Sequence, residues 1–431
     1  MKNKLSVLFI VFLSYVTMMQ AQEVISIAKS EVLSKVSQDN TSLKISEQEF
    51  IESRADYRQT NAIFLPNITA TTNPLMAFGS KLNQEILTQS DFNPALLNDP
   101  SQIENYATKF EIQQPLINLD GLYQRKAAKS KMKAMSLKQQ RTGEYLKLEV
   151  EKAYMQLQLA YKGVEVLEKA LLTALENKKL ADNSFKQGYL QRADVLNVEV
   201  RVTEVKNQLQ TAQSNVQNAS NYLSFLMNDE TYVVYQPSDS LSVIAFNGEI
   251  NKGVSENRSD IKAMELASNA YEAMNKADKM AFLPRLNAFG SYELYDDQIF
   301  QGGANGYLFG AQLSWDIFQG SKRFGKAQKS SAEFQKSKLE YEQYVSQSNL
   351  ELNKAKRMLL DAKNKLNLTT LAMEQSKESL RIRGNRFKEG LEKTSDLLLA
   401  ETQYAQKQLE HYQTIFEYNY AQAYVQFLTK E

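Results

Sequence analysis

Cysteine is absent from this chain, and histidine occurs once, at position 411. Without cysteine no disulfide stabilises an exported fold, and no lipid can be attached through a thioether at a processed N-terminus. One imidazole, no phosphate-cradling glycine loop and no acids at metal-ligand spacing leave no catalytic constellation. Neither an enzyme nor a cofactor or metal site is therefore expected, and His411 reads as a helix-surface or interface residue. An excess of one charge is missing too: 51 basic residues face 50 acidic ones, a balance that offers nucleic acid no electrostatic footprint.

Long hydrophobic runs are equally scarce. Lys2 and Lys4 precede an apolar stretch from Leu5 to Val16 and then Met19-Gln20-Ala21, the pattern of a cleaved export signal over 1–21 with Gln22 as the first mature residue. The stretch is shorter than the roughly 20 apolar residues a spanning helix needs. Every later segment is interrupted by Lys, Glu, Gln or Asn, so any crossing of a membrane must be made by β-strands.

Proline is confined to positions 66, 74, 94, 100, 115, 237 and 284, which leaves 116–236 and 285–431 free of it. Such stretches, rich in Lys, Glu, Gln, Leu and Ala, suit long helices. Ala153, Leu157, Ala160, Val164, Leu167, Leu171, Ala174, Lys178, Ala181 and Phe185 alternate steps of four and three. Moved on by 202 residues, the same register falls on Ala355, Leu359, Ala362, Leu366, Thr369, Met373, Ser376, Leu380, Arg383 and Phe387. This is a heptad seam implying left-handed coiled packing. It halts at Gly188 and Gly390, where glycine marks a helix end, and a second amphipathic helix follows each. Two helical hairpins are expected, over 120–228 and 320–431, with long arms of roughly 100 Å at 1.5 Å per residue.

The duplication extends further. Phe64-Leu65-Pro66 returns as Phe282-Leu283-Pro284, and Phe185-Lys186-Gln187-Gly188 as Phe387-Lys388-Glu389-Gly390, which makes the chain two similar halves. The first, 22–228, is expected to hold N-terminal helices over 23–63, strands at about 66–78 and 104–117, and its hairpin. A linker or equatorial segment over 229–256 leads to the second half, 257–431, with a helix over 258–282, strands at about 284–296 and 307–318, and its hairpin. The strand segments alternate: Leu286, Ala288, Tyr292 and Leu294 oppose Asn287, Ser291 and Glu293, giving one dry and one wet face. Loops at about 79–104 and 296–306 are assigned to the outer surface.

An alternating strand also suits half of a soluble sandwich. The export signal and the aromatic ends, with Tyr106, Tyr292, Tyr307 and Trp315 as interface residues, favour a transmembrane barrel. Four strands cannot close one, and open edges in lipid leave backbone groups unpaired. Several chains must share the barrel.

Asn257-Arg258-Ser259-Asp260-Ile261, Gln114-Pro115-Leu116-Ile117, Trp315-Asp316-Ile317-Phe318-Gln319-Gly320 and the doubled Phe-Lys-x-Gly motif stand in an order that resembles the TolC-type outer-membrane efflux proteins, or outer membrane factors. The resemblance covers essentially the whole mature chain. It implies a mainly α homotrimer whose 12-stranded β-barrel, in contact with outer-membrane lipid, continues into a 12-helix periplasmic α-barrel. It further implies a passive exit duct for small molecules or drugs in the outer membrane of a Gram-negative-type cell, supplied by an inner-membrane pump through a periplasmic adaptor. By the same resemblance the tips Gly188, Tyr189, Leu190 and Gly390, Leu391, Glu392 meet the adaptor, and Asp194 and Asp396 form rings that narrow the pore. A second acid sometimes found three residues later is replaced here by Asn197 and Leu399. Aspartate in a first helical turn also serves as a cap, and Arg192 stands near enough in sequence to pair with Asp194, so both readings remain open. A type I protein-secretion duct would share the architecture. A periplasmic adaptor, with one hairpin between compact β-domains, and a general porin fit the order less well.

Overall fold

The computed structural model describes residues 24–77, 103–231, 233–246, 252–296 and 298–430. The export segment 1–21 and nearly all of the loop expected at 79–104, with Pro94 and Pro100, lie outside the described residues. In chain order the elements are β1 (Val24–Ile27), α1 (Lys29–Asp39), α2 (Thr41–Gln59), a 3-10 turn (Thr60–Ile63), β2 (Asn67–Ala77), β3 (Ile103–Ile117), α3 (Leu119–Lys186), α4 (Arg192–Met227), β4 (Val234–Pro237), α5 (Ser259–Met280), β5 (Arg285–Asp296), β6 (Ala304–Ser314), α6 (Lys322–Lys388) and α7 (Thr394–Thr429). A strand pair followed by two helices thus occurs twice. The chain divides into two compact units, one of residues 1–48, 137–262 and 343–431, the other of residues 49–136 and 263–342.

The first unit is built on the apolar seams. Ala153, Leu157, Leu167, Ala174 and Ala181 of α3 are buried, as are Ala355, Leu359, Ala362 and Leu366 of α6. One cluster joins Val150, Leu157, Leu223 and Leu226 to Ile27, Val32 and Val36; another joins Leu352, Leu359 and Leu366 to Ile415, Ala421 and Val425. Along α7 the rings of Phe416, Tyr420, Tyr424 and Phe427 stack at successive centroid distances of 6.2, 5.9 and 6.5 Å. Lys152 lies 5.7 Å above Tyr420 and Arg141 3.6 Å above Phe427, so cations of α3 sit on the aromatic face of α7.

Two sequence expectations need correction here. The stretch 23–63 is not helical throughout: Val24-Ile25-Ser26-Ile27 forms β1, which pairs in parallel with β4, inside the segment expected as a linker. Its partner lies so far along the chain that no local period marks it. The last strand, expected at 307–318, runs Ala304–Ser314 instead. Its ladder with β5 ends at Arg285↔Ser314, because the preceding Pro284 carries no N–H. Trp315 leaves the ladder, and its indole Nε1 donates to the carbonyl of Phe282 at 3.0 Å.

The second unit holds a four-stranded sheet in the order β2-β3-β5-β6, antiparallel at every pairing. Register places Ile68 beside Ile112 and Ile112 beside Gly290, then Phe110 beside Tyr292 and Tyr292 beside Tyr307. One face is therefore apolar across all four strands. The other carries Lys109, whose Nζ lies 3.0 Å from Glu111 and 3.7 Å from Glu293. At both Phe-Leu-Pro junctions an arginine clamps the phenylalanine. Arg125 lies 5.3 Å from the Phe64 ring and bonds Asn61 and Tyr57, while Arg323 lies 4.8 Å from Phe282 and bonds the Ala281 and Asp316 carbonyls.

Within the first unit the Asn257-Arg258-Ser259-Asp260 motif makes a buried polar network. Arg258, 2% exposed, donates to Asp260 through Nε at 2.6 Å and Nη2 at 2.9 Å, to Ser348 Oγ at 2.8 Å and to the Leu428 carbonyl at 3.1 Å. Tyr344 OH donates to Asp260 at 2.7 Å, and Arg141 stands 3.5 Å away. Burial alone would raise the Asp260 carboxyl, but Arg258, Tyr344 and Arg141 outweigh it and hold that group below its ordinary value. Burial, then Asp260, push the Tyr344 phenol up to about 12.

Replacing Arg258 by Met takes from Asp260 its two guanidinium hydrogen bonds, leaving Tyr344 and Arg141, and is expected to cost about 3 kcal/mol in urea unfolding. Because the folded-state pKa of Asp260 is depressed, its stabilisation is complete above the ordinary carboxylate range and is lost as pH falls through the lowered value. Arg258→Met should therefore unfold in acid at a higher pH than the native chain.

Candidate functional site at the hairpin tips

Each long helix ends by the same device. Gly188 has φ +79° and Gly390 φ +73°, a left-handed conformation that costs a residue with a Cβ roughly 1–2 kcal/mol. The N–H of Tyr189 donates to the Ser184 carbonyl and that of Gly188 to Phe185, both at 2.9 Å. In the second hairpin Leu391 donates to Arg386 at 2.9 Å and Gly390 to Phe387 at 3.0 Å. These paired bonds satisfy carbonyls that the helix end leaves orphaned, and the chain reverses into α4 or α7 within a few residues.

Past the reversal the tips diverge. Asp194 is the third residue of α4, and its Oδ2 accepts the Gln191 backbone N–H at 3.2 Å, which is the carboxylate half of a capping box. Arg192 does not pair with it; its guanidinium lies 3.7 Å from Glu199. Asp396 holds the equivalent place in α7 but faces Arg383 at 4.0 Å and the Ser395 hydroxyl at 3.5 Å.

The expected docking residues separate in the same way. Tyr189 is 80% exposed and Leu391 65%, while Leu190 is half-buried and both glycines are exposed. Glu392 is not presented: its side chain, 10% exposed, lies 2.7 Å from Arg383 and 2.8 Å from Arg386. The two arginines, missed in the sequence reading, turn this glutamate into an internal strap of the second tip. Their positions at the end of α6, six and nine residues before Glu392, were the available signal.

Of the aromatic residues, Tyr292 and Tyr307 are direct cross-strand partners and Tyr106 pairs with Asp296 farther along the sheet. Trp315 lies just beyond the opposite end. From Tyr307 to Trp315 the chain spans roughly 27 Å at 3.4 Å per residue, close to the height of a barrel's apolar band. Among the described residues no cluster of His, Cys, Asp or Glu could hold a metal ion, and no helix is long and apolar enough to cross a membrane.

The family model described as outer membrane efflux protein matches residues 32–229 and 253–429. No curated protein matches the chain. Among solved structures it is similar to a membrane protein from Pseudomonas aeruginosa, with 17% identity over 93% of this chain and 90% of that one and a TM-score of 0.82. VceC, an outer membrane protein of Vibrio cholerae, shares 17% identity over 93% and 96% of the two chains at 0.79. The CmeC outer membrane channel of Campylobacter jejuni shares 16% over 94% and 87%, also at 0.79.

Alanine in place of Asp194 should lose the cap and about 0.5–1 kcal/mol, read as faster amide exchange over residues 191–195. The same change at Asp396, which caps no N–H, should leave exchange at its helix start unaltered.

Proposed function

The chain belongs to the outer membrane efflux protein family, and we propose that it works as the passive exit duct of a tripartite efflux system. The observation that carries this reading is the open four-stranded sheet with one apolar face, in a chain whose other described parts are mostly two helical hairpins. In hydrocarbon, the unpaired N–H and C=O groups along β2 and β6 would each cost several kcal/mol. Edge-to-edge joining of copies removes both edges, and three copies of four strands make twelve, a size that closes. The six hairpins of such a trimer supply twelve helices, and their seams of alanine and leucine favour close lateral packing.

The duct has no energy source of its own, so cargo is delivered by an inner-membrane pump through a periplasmic adaptor. Tyr189 and Leu391, exposed apolar side chains held out by rigid glycine reversals, are the adaptor-facing residues. Asp396 is the stronger constriction residue, because Asp194 is committed to a cap. Repeated by threefold symmetry, Asp396 gives three carboxylates across the pore, whose mutual repulsion and cation affinity bias opening. Export by a cleaved signal over 1–21, without lipid attachment, completes the reading.

Cross-linking in intact cells followed by pull-down of a tagged chain should recover a trimer with an adaptor and a proton-driven pump. A secretion transporter in their place would reassign the duct to protein export, and a chain absent from the outer membrane would reject the barrel. In planar bilayers Asp396→Ala should raise resting ion conductance severalfold and weaken block by multivalent cations; conductance and block equal to those of the native protein would remove Asp396 from the pore.

A further inference from the structure

The chain as a whole is balanced, 51 basic residues against 50 acidic, but its charge is not evenly spread. Residues 119–136, where α3 leaves β3, hold five basic residues and one acid; residues 322–338, where α6 follows β6, hold six and one. Both stretches belong to the unit that contains the four-stranded sheet. Some of these cations are spent locally. Lys131 lies 3.1 Å from Asp56 and Lys326 2.8 Å from Asp278, Lys329 and Lys336 face Glu333 and Glu340 on their own helix, and Arg125 and Arg323 clamp the Phe-Leu-Pro junctions. Lys126, Lys129, Lys133, Lys322 and Lys338 are exposed and enter no ion pair among the described residues.

Steps of three and four place Lys126, Lys129 and Lys133 on one face of α3. Ala127, Ala128 and Ala134 line a cavity together with Gln59 of α2 and Ala270 of α5, and at 3.6 residues per turn the three lysines lie on the opposite side of the helix. β3 is an inner strand, so this stripe begins away from the two sheet edges at which copies would join. Exposed apolar side chains stand between the sheet and the lysines: Leu116 and Ile117 at the end of β3, Leu122 at the start of α3, and Ile317 and Phe318, each 80% exposed, between β6 and α6. Apolar surface followed by unpaired lysine is the order in which hydrocarbon gives way to phosphate headgroups at a membrane surface.

We propose that these lysines form a basic collar for the headgroups of acidic phospholipids, in the leaflet that meets the helical end of the sheet. The collar rests on the reading of the sheet as membrane-spanning. Lys322 opens α6, while Lys126, Lys129 and Lys133 lie roughly 10, 15 and 21 Å along α3, and a lysine stem can extend its ammonium back toward the headgroups. With a Debye length of about 8 Å at physiological salt, the attraction falls from Lys322 and Lys126 to Lys133. Each lysine near an anionic surface strengthens binding about fivefold, so the collar opposes movement of the sheet along the membrane normal.

The test uses the full-length protein in phosphatidylcholine bilayers with a trace of spin-labelled phosphatidylglycerol or spin-labelled phosphatidylcholine, the motionally restricted fraction of each label being read by electron spin resonance. At low salt phosphatidylglycerol should associate about threefold to fivefold more strongly than phosphatidylcholine. At about 1 M salt, where the Debye length is about 3 Å, the two should become equal. Changing Lys126, Lys129, Lys133 and Lys322 together to Gln should abolish the preference, and arginine at the same four positions should keep it. Among single changes, Lys126→Gln should lower it more than Lys133→Gln. Removing three exposed lysines of the other unit, by Lys179→Gln, Lys206→Gln and Lys354→Gln, should leave it intact. Equal association of both lipids at low salt, or a preference retained by the four-glutamine variant, would overturn the collar; if that variant's reversal potential also moves toward cations, the lysines line the lumen instead. Should the variant not insert, a native preference unchanged by 1 M salt would equally overturn it. Restriction of neither label would reject the membrane-spanning sheet and the collar with it, whereas restriction without preference rejects the collar alone.

Discussion

The constraint on which this fold rests is the narrowness of the seam that its long helices can bury. Helices of 68 and 67 residues with Lys, Glu and Gln over most of their surface gain little from propensity alone, since isolated helical stability in water is marginal and packing must supply the rest. The buried stripe is a few residues wide, and many of those residues are alanine: Ala153, Ala174 and Ala181 on α3, Ala355 and Ala362 on α6. Small side chains contribute modest transfer energy each but allow neighbouring helices to approach closely, so the energy is gathered over length. Where the seam reaches the C-terminal end of α7, the network of Arg258, Asp260, Tyr344 and Arg141 replaces apolar contact with charge-assisted hydrogen bonds. It binds α5, α6 and α7 at one level through fully satisfied polar groups.

The two tips show how a duplicated sequence acquires unequal parts. Both reverse through a left-handed glycine with the same pair of backbone bonds, so the reversal is common to the copies. The first aspartate then satisfies the backbone of its own helix, while the second is turned toward Arg383, in a tip where Glu392 is strapped between two arginines. Both tips are closed by backbone hydrogen bonds, and the second adds ion pairs between Glu392 and its two arginines.

Much of this organisation was legible in the sequence because it is local or periodic. Glycine after the last heptad position located both reversals, the proline-free stretches located the long helices, and alternation of apolar and polar residues located β2, β3, β5 and β6. The features missed are non-local. β1 and β4 are four residues each and find each other across most of the first half of the chain, so neither has a period to read. The end of β6 was misplaced because apolar alternation continues through Trp315 and Ile317, whereas pairing stops where Pro284 withholds an N–H from the facing strand. Glu392 was assigned to the adaptor-facing surface by the family resemblance alone; its burial comes from Arg383 and Arg386, which pair with it.

By itself, then, the sequence determined the alternation of strand pairs and helical hairpins, the positions of the two reversals, and the likeness between the halves, since all of these follow from spacing along the chain and from the φ preferences of glycine and proline. Only the tertiary structure decided which of the acidic residues cap, strap or stand unpaired. Asp194, Glu392, Asp396 and Glu401 all lie at or near a hairpin tip, yet one accepts a backbone N–H, one is clamped by two guanidiniums, one faces a single arginine, and one is buried against an amide. A carboxylate's role depends on the dielectric and the donors within a few ångströms, and those are supplied by segments as far as 224 residues away.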